Sequence, residues 1–287
     1  MAQILDGRII SKQIKDVVRR ELVSLHVKPG LTVLLVGLDP ASQTYVENKA
    51  KACREIGIRS EILRYPITTK KEEIIAKIEE LNIDPQIHGI LLQLPLPGDL
   101  HSFEQDILES IDPEKDVDGL HPINIGRFMN NKYLSDATVL LPCTPYGVIR
   151  LLQAYNVSIA GKDVVIIGRS NLVGKPLGML FLAENATVTF CHSKTLNIKT
   201  ITTQADIVVS AVGRPKFIDA TYIKKGAVVI DVGFNYEEKA LVGDVDFESV
   251  SNVASAITPV PGGVGPMTVA ILMENVLKAY QRQTSTT

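Results

Sequence analysis

The sequence predicts an α/β protein of two α/β domains. Three observations predict it. At 287 residues the chain is long enough for two domains, each with its own core. Short apolar runs with the look of buried strands alternate with segments of helical spacing. The stretch from Gly161 to Thr195 condenses that pattern into one β-turn-α-β unit. There Val164, Val165, Ile166 and Ile167 read as a strand buried on both faces that runs straight into Gly168. A helix is expected from about Lys175-Pro176, with apolar residues at Leu177, Leu180, Phe181 and Ala183, and a second strand over Thr187 to Cys191.

A glycine-rich crossover opening onto a helix N-terminus is a natural anion site. A phosphate loop of the GxxxxGK type does not fit, because five residues separate Gly168 from Gly174 and Pro176 follows Lys175. The dinucleotide pattern is met loosely by Gly168, Gly174 and Gly178, in the right place after a buried strand. An enzyme using NAD would normally carry an acid at the end of the second strand, for the ribose 2′-hydroxyl. Here that end reads Cys191-His192-Ser193-Lys194-Thr195, and Arg169 supplies a guanidinium suited to phosphate. NADP is therefore expected over NAD. The competing reading is a plain α/β domain with a glycine turn.

A formal net charge of −2 gives no footprint for nucleic acid or an anionic membrane. Three scattered cysteines, Cys53, Cys143 and Cys191, make no disulfide framework and fit a reducing cytosol. No apolar run is long enough to span a bilayer, and charges at Asp6 and Arg8 precede any signal-peptide core. A cytoplasmic protein is expected. The five histidines show no close ligand pairing, so no metal is expected.

Along the chain, helical spacing covers about Asp6 to Leu25, with Ile9, Ile14, Val17, Val18 and Leu22 as its apolar set. A strand follows over Leu31 to Gly37, then a helix from about Ser42 to Ile56 with a buried stripe of Val46, Ala50, Cys53 and Ile56. Tyr45 and Lys49, four apart, project together from one flank of that helix. Such a pair is commonly a solvated lysine beside a half-buried tyrosine. Its position after a parallel strand, where α/β folds build sites, favours function. A strand near 58–65, a charged helix near 70–81 and a strand over 87–93 come next. Gln93 ends that last strand, just before Leu94-Pro95-Leu96-Pro97. A polar residue there is either a satisfied core amide or a site residue, and both readings stay open.

The segment Glu114-Lys115-Asp116-Val117-Asp118-Gly119 begins like a calcium loop, but Ile125 stands where the bidentate glutamate should be. Asp before Gly is by itself a turn signal. A helix should run from the Pro142-Cys143-Thr144-Pro145 segment to about Tyr155, with Cys143 a packed thiol. Strands near 207–210 and 228–231 lead to Gly213 and Gly233, consistent with a nicotinamide bed. Thr258 to Thr268 forms a loop punctured by glycine, where backbone can approach a ligand, and an amphipathic helix over 269–280 closes the chain.

Six segments together resemble the bifunctional methylenetetrahydrofolate dehydrogenase/cyclohydrolase family, called FolD in bacteria. They are Tyr45-Val-Glu-Asn-Lys49, Gly89 to Pro97, Lys115 to Gly119, Pro142 to Pro145, Gly168-Arg-Ser170 with Val173-Gly174 and Pro176, and Pro261 to Thr268. Tyr146 departs from the family, where a basic residue is common. The resemblance implies a folate cleft flanked by the two domains, the second a Rossmann-like NADP-binding domain. Residues 1–140, completed by a C-terminal helix over 267–287, would bind folate, and 141–266 would bind NADP. Oxidation of 5,10-methylenetetrahydrofolate to the methenyl form, then hydrolysis to 10-formyltetrahydrofolate, is the implied activity, with a homodimer as the implied assembly. Among the carried-over residues, Lys49 is the main catalytic group, Gln93 positions it and Tyr45 stacks on the folate. Asp118 bonds the pterin, with Pro261, Gly262 and Gly263 lining the cleft. Gly168, Arg169, Ser170, Gly174, Ser193, Gly213 and Thr268 fall on the cofactor side. A dehydrogenase of the shikimate type, or an NADP-sensing module, would explain the cofactor domain but leave Tyr45, Gln93 and Asp118 as coincidences.

Overall fold

The computed structural model of the chain describes residues 2–25, 27–130, 139–237 and 240–285. Contacts divide these into two compact units. One comprises residues 2–12 and 142–268, the other the described residues of 13–130 with 139–141 and 269–285. The division falls inside two helices, Gly7–Val23 and Val264–Ser285.

The unit with residues 13–130 carries a three-stranded parallel sheet in the order Arg59–Tyr65, Gly30–Val36, Gly89–Leu92. Gly30–Val36 is the central strand and is buried at every position, Thr32 being the one polar residue in its otherwise apolar run. Leu34, Val36, Ile90 and Leu92 pack with Ile74 and Ile78 of the helix Lys71–Ile83 in one core cluster. On the helix Pro40–Ile56, Val46, Ala50, Cys53 and Ile56 are buried as expected, and Gly57 in the left-handed region ends it. Lys115 plays an unexpected structural part. Its buried Nζ donates to the carbonyls of Leu81 (2.9 Å) and Asp84 (2.8 Å), at the C-terminal end of Lys71–Ile83. A cation there complements the helix dipole.

The other unit holds a six-stranded sheet in which every pairing is parallel, ordered Gln3–Ile4, Ala256–Ile257, Val228–Asp231, Ile207–Ser210, Asp163–Ile167, Thr187–Cys191. Asp163–Ile167 is flanked by the next strand in sequence on one side and by the one after it on the other, so the order reverses beside it. That reversal is the switch point at which doubly wound sheets bind ligands.

Some expectations need correction. Ile9 and Val17 are exposed, because the buried stripe of Gly7–Val23 runs through Gly7, Ser11, Ile14, Val18 and Leu22 and those two lie off it. Ala183 is exposed for the same reason on Gly174–Ala183. The helix after the glycine turn starts at Gly174, and the last helix already begins at Val264. By contacts alone residues 2–12 fall with 142–268, because Gln3–Ile4 pairs with Ala256–Ile257. A two-residue strand leaves no periodicity to read. Residues 286 and 287 of the expected C-terminal segment lie outside the described residues.

Candidate active site

In the unit holding residues 13–130 the candidate residues gather at a second switch point. The central strand Gly30–Val36 feeds the helix bearing Tyr45 and Lys49, while its neighbour Gly89–Leu92 ends at Gln93. Asp39 starts that helix by accepting from the Ser42 N–H at 2.8 Å, with Pro40 in the first turn. The backbone N–H of Gln93 donates to the Leu34 carbonyl at 2.9 Å, which fixes where the side chain leaves the sheet.

Lys49 is only 3% exposed, a rare burial for a lysine. Its Nζ donates to Gln93 Oε1 at 3.1 Å and lies 4.7 Å from the centre of the half-buried Tyr45 ring. The amide of Gln93 also donates through Nε2 to the Leu94 carbonyl at 2.8 Å. Glu104 then holds the loop, accepting from the Leu96 N–H at 2.6 Å. The amide of Gln93 is thus satisfied at both ends, with one of its partners the Lys49 amine.

Asp118 is half-buried, and its carboxylate accepts no hydrogen bond among the described residues. Its surroundings are firmly held. Asp116 is buried and accepts from the His121 N–H at 2.8 Å and from Asn124 Nδ2 at 2.9 Å; burial raises its pKa above the ordinary carboxylate value. Asn275, 1% exposed, donates to the carbonyls of Val117 and Leu141, each at 2.9 Å. Asn275 was not among the expected residues, although an amide inside an apolar helix was a readable signal. Cys53 and Cys143 are buried, and burial pushes the Cys53 thiol up to about 12, so it is unreactive at neutral pH.

The residues expected on the cofactor side lie along the carboxyl edge of the six-stranded sheet. Ile167 and Cys191 are register partners, so Arg169 and Ser193 each lie two residues beyond a paired position. Gly168 has φ +141°, and a Cβ there would stand 2.5 Å from the Ala211 carbonyl oxygen. A Cβ on Gly174 would meet the Gly168 oxygen at 2.5 Å, so the turn can close only on two glycines. Ser170 Oγ accepts from the N–H groups of Val173 (3.2 Å) and Gly174 (3.3 Å). Ser170 thus braces the turn that leads into the helix, whose own cap residue, Val173, makes no side-chain cap bond. Arg169, Ser170 and Ser193 are exposed, and Arg169 forms no ion pair among the described residues.

Gly213 (φ +66°) follows the third strand of the crossover, Ile207–Ser210. In the segment 258–268, helical from Val264 on, Thr268 is buried and its hydroxyl lies 2.9 Å from that of Thr144. Gly262 has φ +116°, and its carbonyl accepts from the Gly7 N–H at 2.9 Å. Pro261 follows a cis peptide, and Gly263 donates to the Pro259 carbonyl at 2.7 Å. Tyr146 is buried with the Arg150 guanidinium 5.6 Å over its ring. Among the described residues no group of three His, Cys, Asp or Glu could hold a metal.

A parallel, doubly wound sheet with a glycine turn at its switch point belongs to the class of dinucleotide-dependent α/β enzymes. A family model described as tetrahydrofolate dehydrogenase/cyclohydrolase, catalytic domain, matches residues 5–118, and one described as the NAD(P)-binding domain of the same enzymes matches residues 142–284. The chain belongs to the tetrahydrofolate dehydrogenase/cyclohydrolase family. It is 54% identical to the bifunctional protein FolD of Halalkalibacterium halodurans over 97% of this chain and 98% of that one. Among solved structures it is similar to the bifunctional FolD enzyme of Campylobacter jejuni (46% identity, TM-score 0.91, 98% and 99% of the two chains covered). It is also similar to the Trypanosoma brucei methylenetetrahydrofolate dehydrogenase-cyclohydrolase in complex with NADP and an inhibitor (38% identity, TM-score 0.92, 99% and 98% covered). Family membership sets aside the shikimate-type and sensor readings.

Proposed function

We propose that this chain oxidises 5,10-methylenetetrahydrofolate with NADP⁺ and hydrolyses the resulting methenyl cation to 10-formyltetrahydrofolate, with Lys49 moving the protons of the second step. The observation that carries the proposal is the buried Lys49 amine bonded to Gln93 beside the Tyr45 ring.

NADP⁺ supplies the hydride acceptor for the first step. That step needs the two reactants held face to face and no protein acid or base. The chain fits the cofactor in two respects. Gly168 and Gly174 leave no room for a side chain in the turn, so backbone lies where a dinucleotide would approach. The Arg169 guanidinium is exposed and outside any ion pair among the described residues, the state expected of a group reserved for the 2′-phosphate.

On the folate side, Tyr45 offers a ring face for stacking and Asp118 a carboxylate, unbonded among the described residues, for the donors of the pterin. The methenyl cation is already electrophilic, so addition of water calls only for proton traffic. Lys49 can take the proton released by the attacking water and return one as the ring opens, and the Gln93 carbonyl oxygen aims the amine. Both activities draw on the same folate site, in the cytoplasm, in an enzyme that works as a homodimer.

A single absorbance experiment tests the reading. On adding NADP⁺ and methylenetetrahydrofolate, the methenyl band should rise as NADPH forms and then decay as the formyl product accumulates. NADPH formation without that band, or a band that never decays, removes one of the two assigned steps.

A further inference from the structure

Asp244, which none of the family segments above contains, has no solvent exposure and accepts from five donors. Its Oδ2 accepts from the N–H groups of Val212 (2.7 Å) and Gly213 (3.2 Å) and from Ser210 Oγ (3.3 Å). Its Oδ1 accepts from the Arg214 N–H (3.0 Å) and from Asn235 Nδ2 (2.9 Å). Three consecutive backbone N–H groups thus converge on one carboxylate, an arrangement that elsewhere cradles anionic ligands. The loop they belong to leaves the strand Ile207–Ser210 on the third-strand side of the switch point, and its Ala211 carbonyl abuts Gly168. Asp244 itself is fixed in turn, its N–H donating to Asp231 Oδ1 at 3.0 Å.

A loop of this kind would ordinarily adapt to its ligand, because its N–H groups would be solvated and its glycine mobile. Here they are committed to a charged acceptor inside the protein, where such bonds are strong. We propose that Asp244 is a positioning residue for the cofactor: it holds residues 211–214 in the conformation that receives the nicotinamide half of NADP⁺, and it has no part in the hydrolytic step. The proposal rests on the cofactor assignment made above.

Asp244→Asn keeps the shape of the side chain. Either orientation of the amide, however, turns an NH₂ toward groups that are themselves donors, so no rotamer restores the five bonds. The KM for NADP⁺ in the dehydrogenase reaction should rise at least about tenfold, the factor equivalent to ~1.4 kcal/mol. Cyclohydrolase activity, assayed on methenyltetrahydrofolate with no cofactor added, should stay within about twofold of wild type by the same conversion. Asn235→Asp is the second variant, should the first not fold. It sets a second carboxylate against Asp244 Oδ1 without changing volume, and should raise the same KM several-fold. An unchanged KM for NADP⁺ in a folded variant, or a parallel loss of both activities, would overturn the proposal and leave Asp244 a residue of the fold alone. Loss of NADP⁺ turnover in the wild-type protein would instead sink the cofactor assignment.

Discussion

The two candidate regions differ in how finished they are. On the folate side the central group is buried and already engaged: Lys49 is 3% exposed and bonded to Gln93, whose amide is bonded to Leu94. On the cofactor side Arg169, Ser170 and Ser193 stand in solvent, and what is rigid lies beneath them, in the glycine turn and the Asp244 network. The difference is what the proposed chemistry calls for. A proton-moving group must hold its geometry before the substrate arrives, because misplacement costs rate. A phosphate-binding cation serves best when solvated and reachable. Variants on the folate side should thus change turnover, and variants on the cofactor side should change KM.

The largest effect is expected from Lys49→Met, which keeps the bulk of the stem and removes the amine. Cyclohydrolase activity should fall by roughly 10²–10⁴-fold, the span for a lost general acid or base. Next is Arg169→Ala, which should raise the KM for NADP⁺ by at least about tenfold, since a phosphate–arginine pair contributes about 1.5–3 kcal/mol. NAD⁺ kinetics should barely move; equal losses with both dinucleotides would assign Arg169 to the pyrophosphate or the fold. Asp118→Ala should weaken folate binding by about tenfold if its carboxylate takes one charge-assisted bond from the pterin. Both activities should fall together while NADP⁺ binding, followed by titration, is untouched.

How much of this was legible in the sequence depended on how local each signal was. Tyr45 and Lys49 share a helix flank, and Gln93 is a polar residue ending an apolar strand, so both signals lie within a few residues. Their meeting at 3.1 Å required the order of the three-stranded sheet, which no local pattern gives. Ile9 and Val17 fit a helical period yet are exposed, because periodicity fixes a face only when the polar residues on it are read as well; Gly7 and Ser11 belong to the buried stripe. Asp244 was invisible for a different reason. Four of its five donors come from residues 210–214, thirty or more positions earlier in the chain. That Ser170 also braces the turn, accepting from Val173 and Gly174, depends on the folded backbone and was not legible either.

The smallest expected effect concerns pH. Asp231 is buried and lies beside Asp244, and burial pushes its pKa up to about 7 from the ordinary 3.8. The folded protein therefore binds a proton more readily than the unfolded chain across that window. Stability contributed by this group is greatest below about pH 4 and is lost as pH rises toward 7, at no more than about 1.4 kcal/mol per pH unit. Denaturant melts of wild type and Asp231→Asn between about pH 4 and 7 should show a shallower slope in the variant, Asp116 supplying what remains. An identical slope in both would place the titration elsewhere.

The separation between the two regions is tested most directly by measuring both activities side by side in Lys49→Met protein that is folded and still binds folate. Hydration of the methenyl cation should collapse while hydride transfer falls far less, so that the methenyl band accumulates in the coupled assay. Hydration at a near wild-type rate, or an equal fall in both steps, would contradict the assignment of proton transfer to Lys49.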